Sequence, residues 1–201
     1  TTEIYDFLRL LYARAGHARS YLSGKDMVRY TRERIVDLIL KRYAGQKIYI
    51  LAPVVRNRKG HYKELFEQLR KKGFINVRVD GELMEITPGL RLDRYKNHSV
   101  EIVVDRLAVS DKEAQRLDGS VESALRHGDK QLMIYSTDDD SVAHYSQSLM
   151  DPETGLSYHE PAPHNFSFNS PQGACPYCSG LGYVDVVDSD KVIPDPSLSI
   201  H

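Results

Sequence analysis

Lys47-Ile48-Tyr49-Ile50-Leu51-Ala52-Pro53-Val54-Val55 is the stretch on which the reading of this chain turns. It is a short apolar run rich in branched and aromatic residues, stopped by the basic loop Arg56-Asn57-Arg58-Lys59-Gly60, which is the pattern of a buried strand. Upstream, Thr31–Tyr43 carries Ile35, Val36, Leu38, Ile39 and Leu40 at helical spacing, and Thr31 ahead of Arg32 and Glu33 supplies a capped start. Downstream, Tyr62–Lys72 reads as a helix with Leu65, Phe66 and Leu69 inward and Gly73 as its stop. Phe74–Val79 alternates apolar and polar residues, Asp80-Gly81 signals a hairpin, and Glu82–Ile86 is the return strand. Ser99–Val109 predicts another strand and Ser120–His127 a short helix. Gln131–Ser136 and Val142–Tyr145 predict two strands around the polar turn Thr137-Asp138-Asp139-Asp140. Helices and strands mixed in this order give an α+β fold, a mixed sheet with packed helices.

The flanks differ in character. Thr2–Arg14 places Ile4, Phe7, Leu8, Leu11 and Tyr12 at helical spacing, and Gly16–Lys25 follows as a loop. Beyond Met150 lie seven of the nine prolines, without strong periodicity, so an irregular Pro/Gly-rich arm is expected there. The expected division is residues 1–25 as a helix and loop, 26–148 as the central domain, and 149–201 as the arm. Thr1 stands where an initiating Met would, and Ser197–His201 stops in mid-sequence style, so an internal piece of a longer protein is expected.

Composition narrows the function. No apolar run approaches the roughly 20 residues of a membrane span, so a cytoplasmic chain with no membrane partner is expected. A net charge of −1 and a pI near 6.7 argue against a protein that coats nucleic acid, though not against a local basic patch. Arg56, Arg58, Lys59, Lys63, Arg70, Lys71 and Lys72 form such a patch, either a solvated face or a dock for carboxylates or phosphates. No G-x-x-x-x-G-K-[ST] occurs; Gly24-Lys25 lacks the preceding glycine and is followed by Asp26. His61, His98, His127 and His144 have no partnered nucleophile at recognisable spacing, and Asp138-Asp139-Asp140 reads as a solvated turn. No catalytic constellation is visible, so no enzyme activity is expected of this chain alone.

The only cysteines, Cys175 and Cys178, sit in Cys175-Pro176-Tyr177-Cys178-Ser179-Gly180-Leu181-Gly182, which has the look of a zinc knuckle. A C-x-x-C supplies two of the four ligands a structural zinc needs. His159 and His164 are candidates for the others, ahead of Asp151 and His144. The alternative is a half-site of two reduced thiols in a tight turn. A redox C-x-x-C lacks its βαβ context here.

Phe166–Gly182 (FSFNSPQGACPYCSGLG) resembles the UvrA family, and so do Thr2–Gly16, Ile50–Phe74, Val77–Glu82, His98–Leu107 and Val192–Ile200. The resemblance implies a piece of an ATP-binding-cassette ATPase, dimeric, that detects distorted DNA and loads UvrB in nucleotide excision repair. ATP and Mg would belong to the parent protein, whose first Walker A loop would precede this stretch and whose ABC signature would follow it. The central domain would then dock UvrB. In the family the sheet containing Val77–Asp80 and Val103–Arg106 meets UvrB, with Arg106 at a position expected to bind and Arg78 and Asp80 nearby. Asn76 stands where relatives often have a basic residue. Arg56, Arg58 and Lys59 join the candidate surface. The alternative for Arg106 is an internal pair with Asp105 or Glu101. Two departures matter: Leu149–Gly155 lacks the second C-x-x-C of many relatives, and His17–Tyr21 lacks their metal-type residues. The competing function is direct nucleic-acid binding by the 56–72 segment and the cysteine knuckle.

Overall fold

The computed structural model describes residues 2–158, 160–187 and 189–192. The expectations placed on His159, on residues 193–200 and on His201 lie outside the described residues. The chain divides into two compact units, Ala18–Glu160 and a second one built from Thr1–His17 with Pro161–His201.

The larger unit is built on a six-stranded antiparallel sheet. Its elements are α2 (Arg32–Arg42, with α1 assigned below to Thr2–Ala15), β1 (Lys47–Lys59), α3 (Lys63–Lys71), β2 (Asn76–Val79), β3 (Glu82–Glu85), β4 (Asn97–Ala108), α4 (Ala114–His127), β5 (Gln131–Ser136) and β6 (Ser141–Ser146). The strands lie in the order β3-β2-β4-β1-β5-β6, so the α+β expectation holds. Ile48, Ile50 and Ala52 of β1 are buried in one core cluster with Ile35 and Ile39 of α2, Phe66 and Leu69 of α3, and Leu117, Val121 and Ala124 of α4. The helices therefore cover one face of the sheet. Thr31 caps α2 by accepting the Arg34 amide on its hydroxyl, as its sequence position suggested.

Two boundaries shift for physical reasons. β1 does not stop at Val55 but runs to Lys59, because Arg58 and Lys59 pair with His98 and Asn97 even though burial ends at Val55. The helix expected from Ser120 begins at Ala114, since its first turns bury only Leu117 and so lack an apolar stripe. Asp80-Gly81 is the β2–β3 turn, with Asp80 at φ 50° and Gly81 at φ 96°, the positive-φ pair that a tight hairpin requires.

After β6 the chain forms a small hairpin, β7 (Leu149–Met150) with β8 (Ser157–Tyr158). Val28 bridges to Met150, and the Tyr30 amide donates to the Ser146 carbonyl. Asp151, fully buried, secures this corner: it accepts from the Ser20 hydroxyl at 2.5 Å and from the Glu153 amide at 2.9 Å. The Ser20 bond, with those backbone donors, holds its carboxyl well below the usual carboxylate range.

In the smaller unit, α1 (Thr2–Ala15) meets a 3-10 turn at Pro163–Phe166. The Tyr5 hydroxyl donates to the Phe166 carbonyl at 2.9 Å and accepts the Phe168 amide at 3.2 Å, so one side chain staples the FSF segment. The rest of the arm to Val187 is turns, as its prolines and glycines suggested, and α5 (Ser189–Val192) is a single turn.

Candidate functional site

The face of the sheet away from the helices carries Arg106 and Arg78, two of the residues singled out from the sequence. Tyr49 of β1 stands opposite Arg106 of β4 on one side and Tyr135 of β5 on the other. The three side chains form a row across the strands. The Arg106 guanidinium lies 5.3 Å from the Tyr49 ring centre, and the Tyr49 and Tyr135 rings are 5.9 Å apart. Arg78 of β2 reaches over the same row, its guanidinium 5.2 Å from the Tyr135 ring. The Tyr135 hydroxyl donates to Asp140 at 2.9 Å, which raises its pKa. Leu51 and Met133 lie under this layer, buried but outside the helix-side core cluster.

A bulge puts Arg106 there. Leu51 pairs with Val103 and Ile50 with Asp105, so Val104 is an extra residue in β4. Past the bulge, Asp105 turns to the helix side and binds Arg116 at 2.7 Å and the Ser120 hydroxyl at 2.7 Å. Burial works against its charge, but those two partners outweigh burial and lower its pKa. Arg106 turns to the open face, exposed, with its guanidinium on an aromatic ring. The internal pair suggested for Arg106 is thus absent: Asp105 serves Arg116, and Glu101 serves Arg78.

Beneath the row is a buried charge cluster. Glu101 pairs with Arg78 at 3.5 Å, their side chains 7% and 15% exposed. Burial pushes the Glu101 carboxyl up, against the pull of Arg78 and then Arg56. Burial, with the charges of Arg56 and Arg78, pushes the His144 pKa down.

The remaining candidates scatter. Asn76 lies on the same side of β2 as Arg78, exposed and opposite Glu85. Asp80 is a structural anchor: it accepts the Ser99 amide at 2.8 Å and meets His98 Nδ1 at 2.6 Å. Burial opposes its ionisation, but His98 and Ser99 outweigh it and lower its pKa, while the Asp80 bond raises that of His98. Arg56 is engaged by the Gly155 carbonyl at 2.7 Å and by Gln131. Arg58 and Lys59 end β1 at the opposite end from Arg106, about 30 Å away at roughly 3.3 Å per residue. Tyr49 and Tyr135 were missed in the sequence; their alternation with buried neighbours in β1 and β5 is the signal that marks them.

Cys175 and Cys178 share one turn, with the Gly182 amide donating to the Cys178 sulfur at 3.3 Å. Backbone hydrogen bonds from Cys178 and Tyr177 lower the Cys175 pKa. Among the described residues no group of three His, Cys, Asp or Glu is placed to hold a metal, so the pair offers half of a tetrahedral zinc set. Asp151 is committed to Ser20, and the His144 ring is wedged against Gly155.

Residues 31–138 match the family model described as the UvrA interaction domain, more than half of the chain. The chain belongs to the UvrA family. Over its full length it is 47% identical to UvrABC system protein A of Methanothermobacter thermautotrophicus, and over 99% of its length 44% and 42% identical to the proteins of that name from Bacillus subtilis and Thermus thermophilus. It spans about a fifth of the length of these UvrA relatives, 21% in each case. The matched segment begins at the α2 cap and ends in the β5–β6 turn, so it holds the whole row of Arg106, Tyr49, Tyr135 and Arg78. No helix among the described residues is long and apolar enough to cross a membrane.

Proposed function

We propose that the open face of the sheet docks UvrB, and that this domain recruits UvrB for a UvrA protein acting in nucleotide excision repair. The observation that carries the reading is the Arg106–Tyr49–Tyr135–Arg78 row, in the segment that matches an interaction domain. Two guanidinium groups rest on aromatic rings, so their planar forks are oriented before any partner arrives. Arginine on such a platform suits bidentate capture of carboxylates, and aromatic residues with arginine dominate the energetics of protein interfaces. Arg78 is already paired with Glu101, which leaves exposed Arg106 as the group for the partner's acid. ATP turnover with Mg, pairing into a homodimer and damage sensing on DNA, in the cytoplasm, would belong to the rest of the parent protein; this chain would be a docking module and not itself an enzyme.

The test is calorimetric titration of the chain with UvrB, with Arg106→Ala in parallel. Wild-type binding weakened roughly tenfold or more by the substitution is the expected result. Binding that the substitution leaves untouched, by an equally folded variant, moves the interface elsewhere.

A further inference from the structure

At the end of the sheet remote from Arg106, a cavity of about 330 Å³ is lined by His61, Lys63, Arg91, Leu92 and Arg94. Every polar side chain in that lining is a nitrogen base, and no carboxylate joins them. Two segments converge to make it, the entry to α3 and the connection from β3 to β4. The second is not a free loop. The Leu92 amide donates to the His61 carbonyl at 2.9 Å, His98 Nε2 meets the Asp93 carbonyl at 2.9 Å, and the Asp93 carboxylate takes the Tyr95 amide at 3.0 Å. Arg91 and Arg94 are thereby fixed beside α3. On the other wall, Tyr62 turns the chain at φ 52° and its hydroxyl bonds the Arg58 carbonyl at 2.7 Å. His61 Nδ1 accepts the Lys63 amide at 3.2 Å, so the neutral ring carries its proton on Nε2 as one more donor.

Of the neighbouring acids only Glu67 pairs with a lining residue, Lys63, and no acid among the described residues pairs with Arg91 or Arg94. Asp93 is spent on the Tyr95 amide and lies 3.9 Å from Lys96; Glu67 is 3.9 Å from Lys63; Glu64 stands on the first turn of α3. Arg94 lies 5.4 Å from the ring of Tyr95. Arg58 and Lys59 are exposed at the adjoining end of β1 and continue the positive charge past the cavity.

We propose that this cavity binds phosphate groups of a nucleic-acid backbone. Converging guanidinium, ammonium and ring N–H donors match tetrahedral oxyanions, and cations beyond the cavity reward a ligand whose charge repeats along a line. A single carboxylate would use only the cavity. The site shares no residue with the Arg106 row, so it stands or falls apart from the UvrB reading.

The experiment is fluorescence anisotropy of a dye-labelled duplex with the whole chain, over a series of salt concentrations, for wild type, Arg91→Ala/Arg94→Ala, Lys63→Gln and Arg106→Ala. Binding should fall with salt, and the double variant should flatten the logarithmic slope by about 2, with affinity at low salt down roughly tenfold. Lys63→Gln should flatten it by about 1, and Arg106→Ala should leave it unchanged. Circular dichroism verifies the fold of each variant. Four outcomes overturn the proposal: no DNA binding by the wild type, unaltered slopes in both cavity variants, displacement of DNA by polyglutamate as effective as by competitor DNA, or binding of inorganic phosphate alone.

Discussion

Arg78→Met should destabilise the sheet domain by far more than a surface arginine would, and the reason is Glu101. The two side chains are 7% and 15% exposed, and the guanidinium is the carboxylate's nearest counter-charge, at 3.5 Å. Removing one partner of a buried pair costs about 3–5 kcal/mol, because the survivor keeps its charge without compensation. Arg56 still acts on Glu101, and water can enter where the Arg78 head lay, so the lower end, about 3 kcal/mol, is expected. For a chain of this size that lowers Tm by roughly 6–12 °C. With thirteen tyrosines and no tryptophan, urea unfolding is followed by far-UV circular dichroism. Two internal checks sharpen the test. Arg78→Met/Glu101→Gln should recover most of the loss, since no charge is then stranded. In Arg78→Met the folded-state pKa of Glu101 rises further above its ordinary 4.5. The folded state then binds more protons than the unfolded one above that value, so stability climbs, relative to wild type, as pH falls from neutrality. A loss below about 1 kcal/mol, or a double variant as unstable as the single one, refutes the pairing.

His98→Gln should remove an alkaline dependence of stability. His98 is raised above its ordinary 6.5 by Asp80, so its contribution is complete below 6.5 and fades as pH rises through the elevated folded value. Urea midpoints from about pH 6 to about pH 9 should fall in the wild type and stay flatter in the variant. Gly155→Ala should cost about 2 kcal/mol or more, read as a Tm drop of at least roughly 4 °C. The residue sits at φ +68°, and an added Cβ would lie 2.4 Å from the half-buried His144 ring.

Much of the fold was legible because burial and period agree in it. The apolar run at Ile48–Val55 is the central strand, the helix through Ile35 and Ile39 packs on it, and Asp80-Gly81 makes its hairpin. What stayed hidden was long-range. Arg78 reaches Tyr135 although β4 and β1 lie between their strands, a contact no local spacing announces. Asp80 beside Arg78 looked like part of one charged surface, yet its carboxylate is consumed by His98 and Ser99, which only the β2–β4 pairing brings near. The basic segment looked continuous in sequence. In space Arg56 is drawn to Gly155 while Arg58 and Lys59 run on to the far end of β1.

The character of the open face depends on one extra residue. Neighbouring residues of a strand point to opposite faces, so strict alternation from Glu101 and Val103 would put Asp105 beside Tyr49 and send Arg106 among the helices. A carboxylate over the negative face of an aromatic ring is repelled, and a guanidinium facing the apolar side of α4 would be costly to bury. The bulge at Val104 inverts both placements at once. Asp105 reaches Arg116 and Ser120, and Arg106 reaches the Tyr49 ring. The same inversion explains why sequence adjacency misleads here. Asp105 and Arg106 never meet through their side chains because the sheet lies between them, and Asp105 instead accepts the Arg106 backbone amide at 2.7 Å. The residues that set the bulge thus set the sign of the charge that the open face carries beside Tyr49.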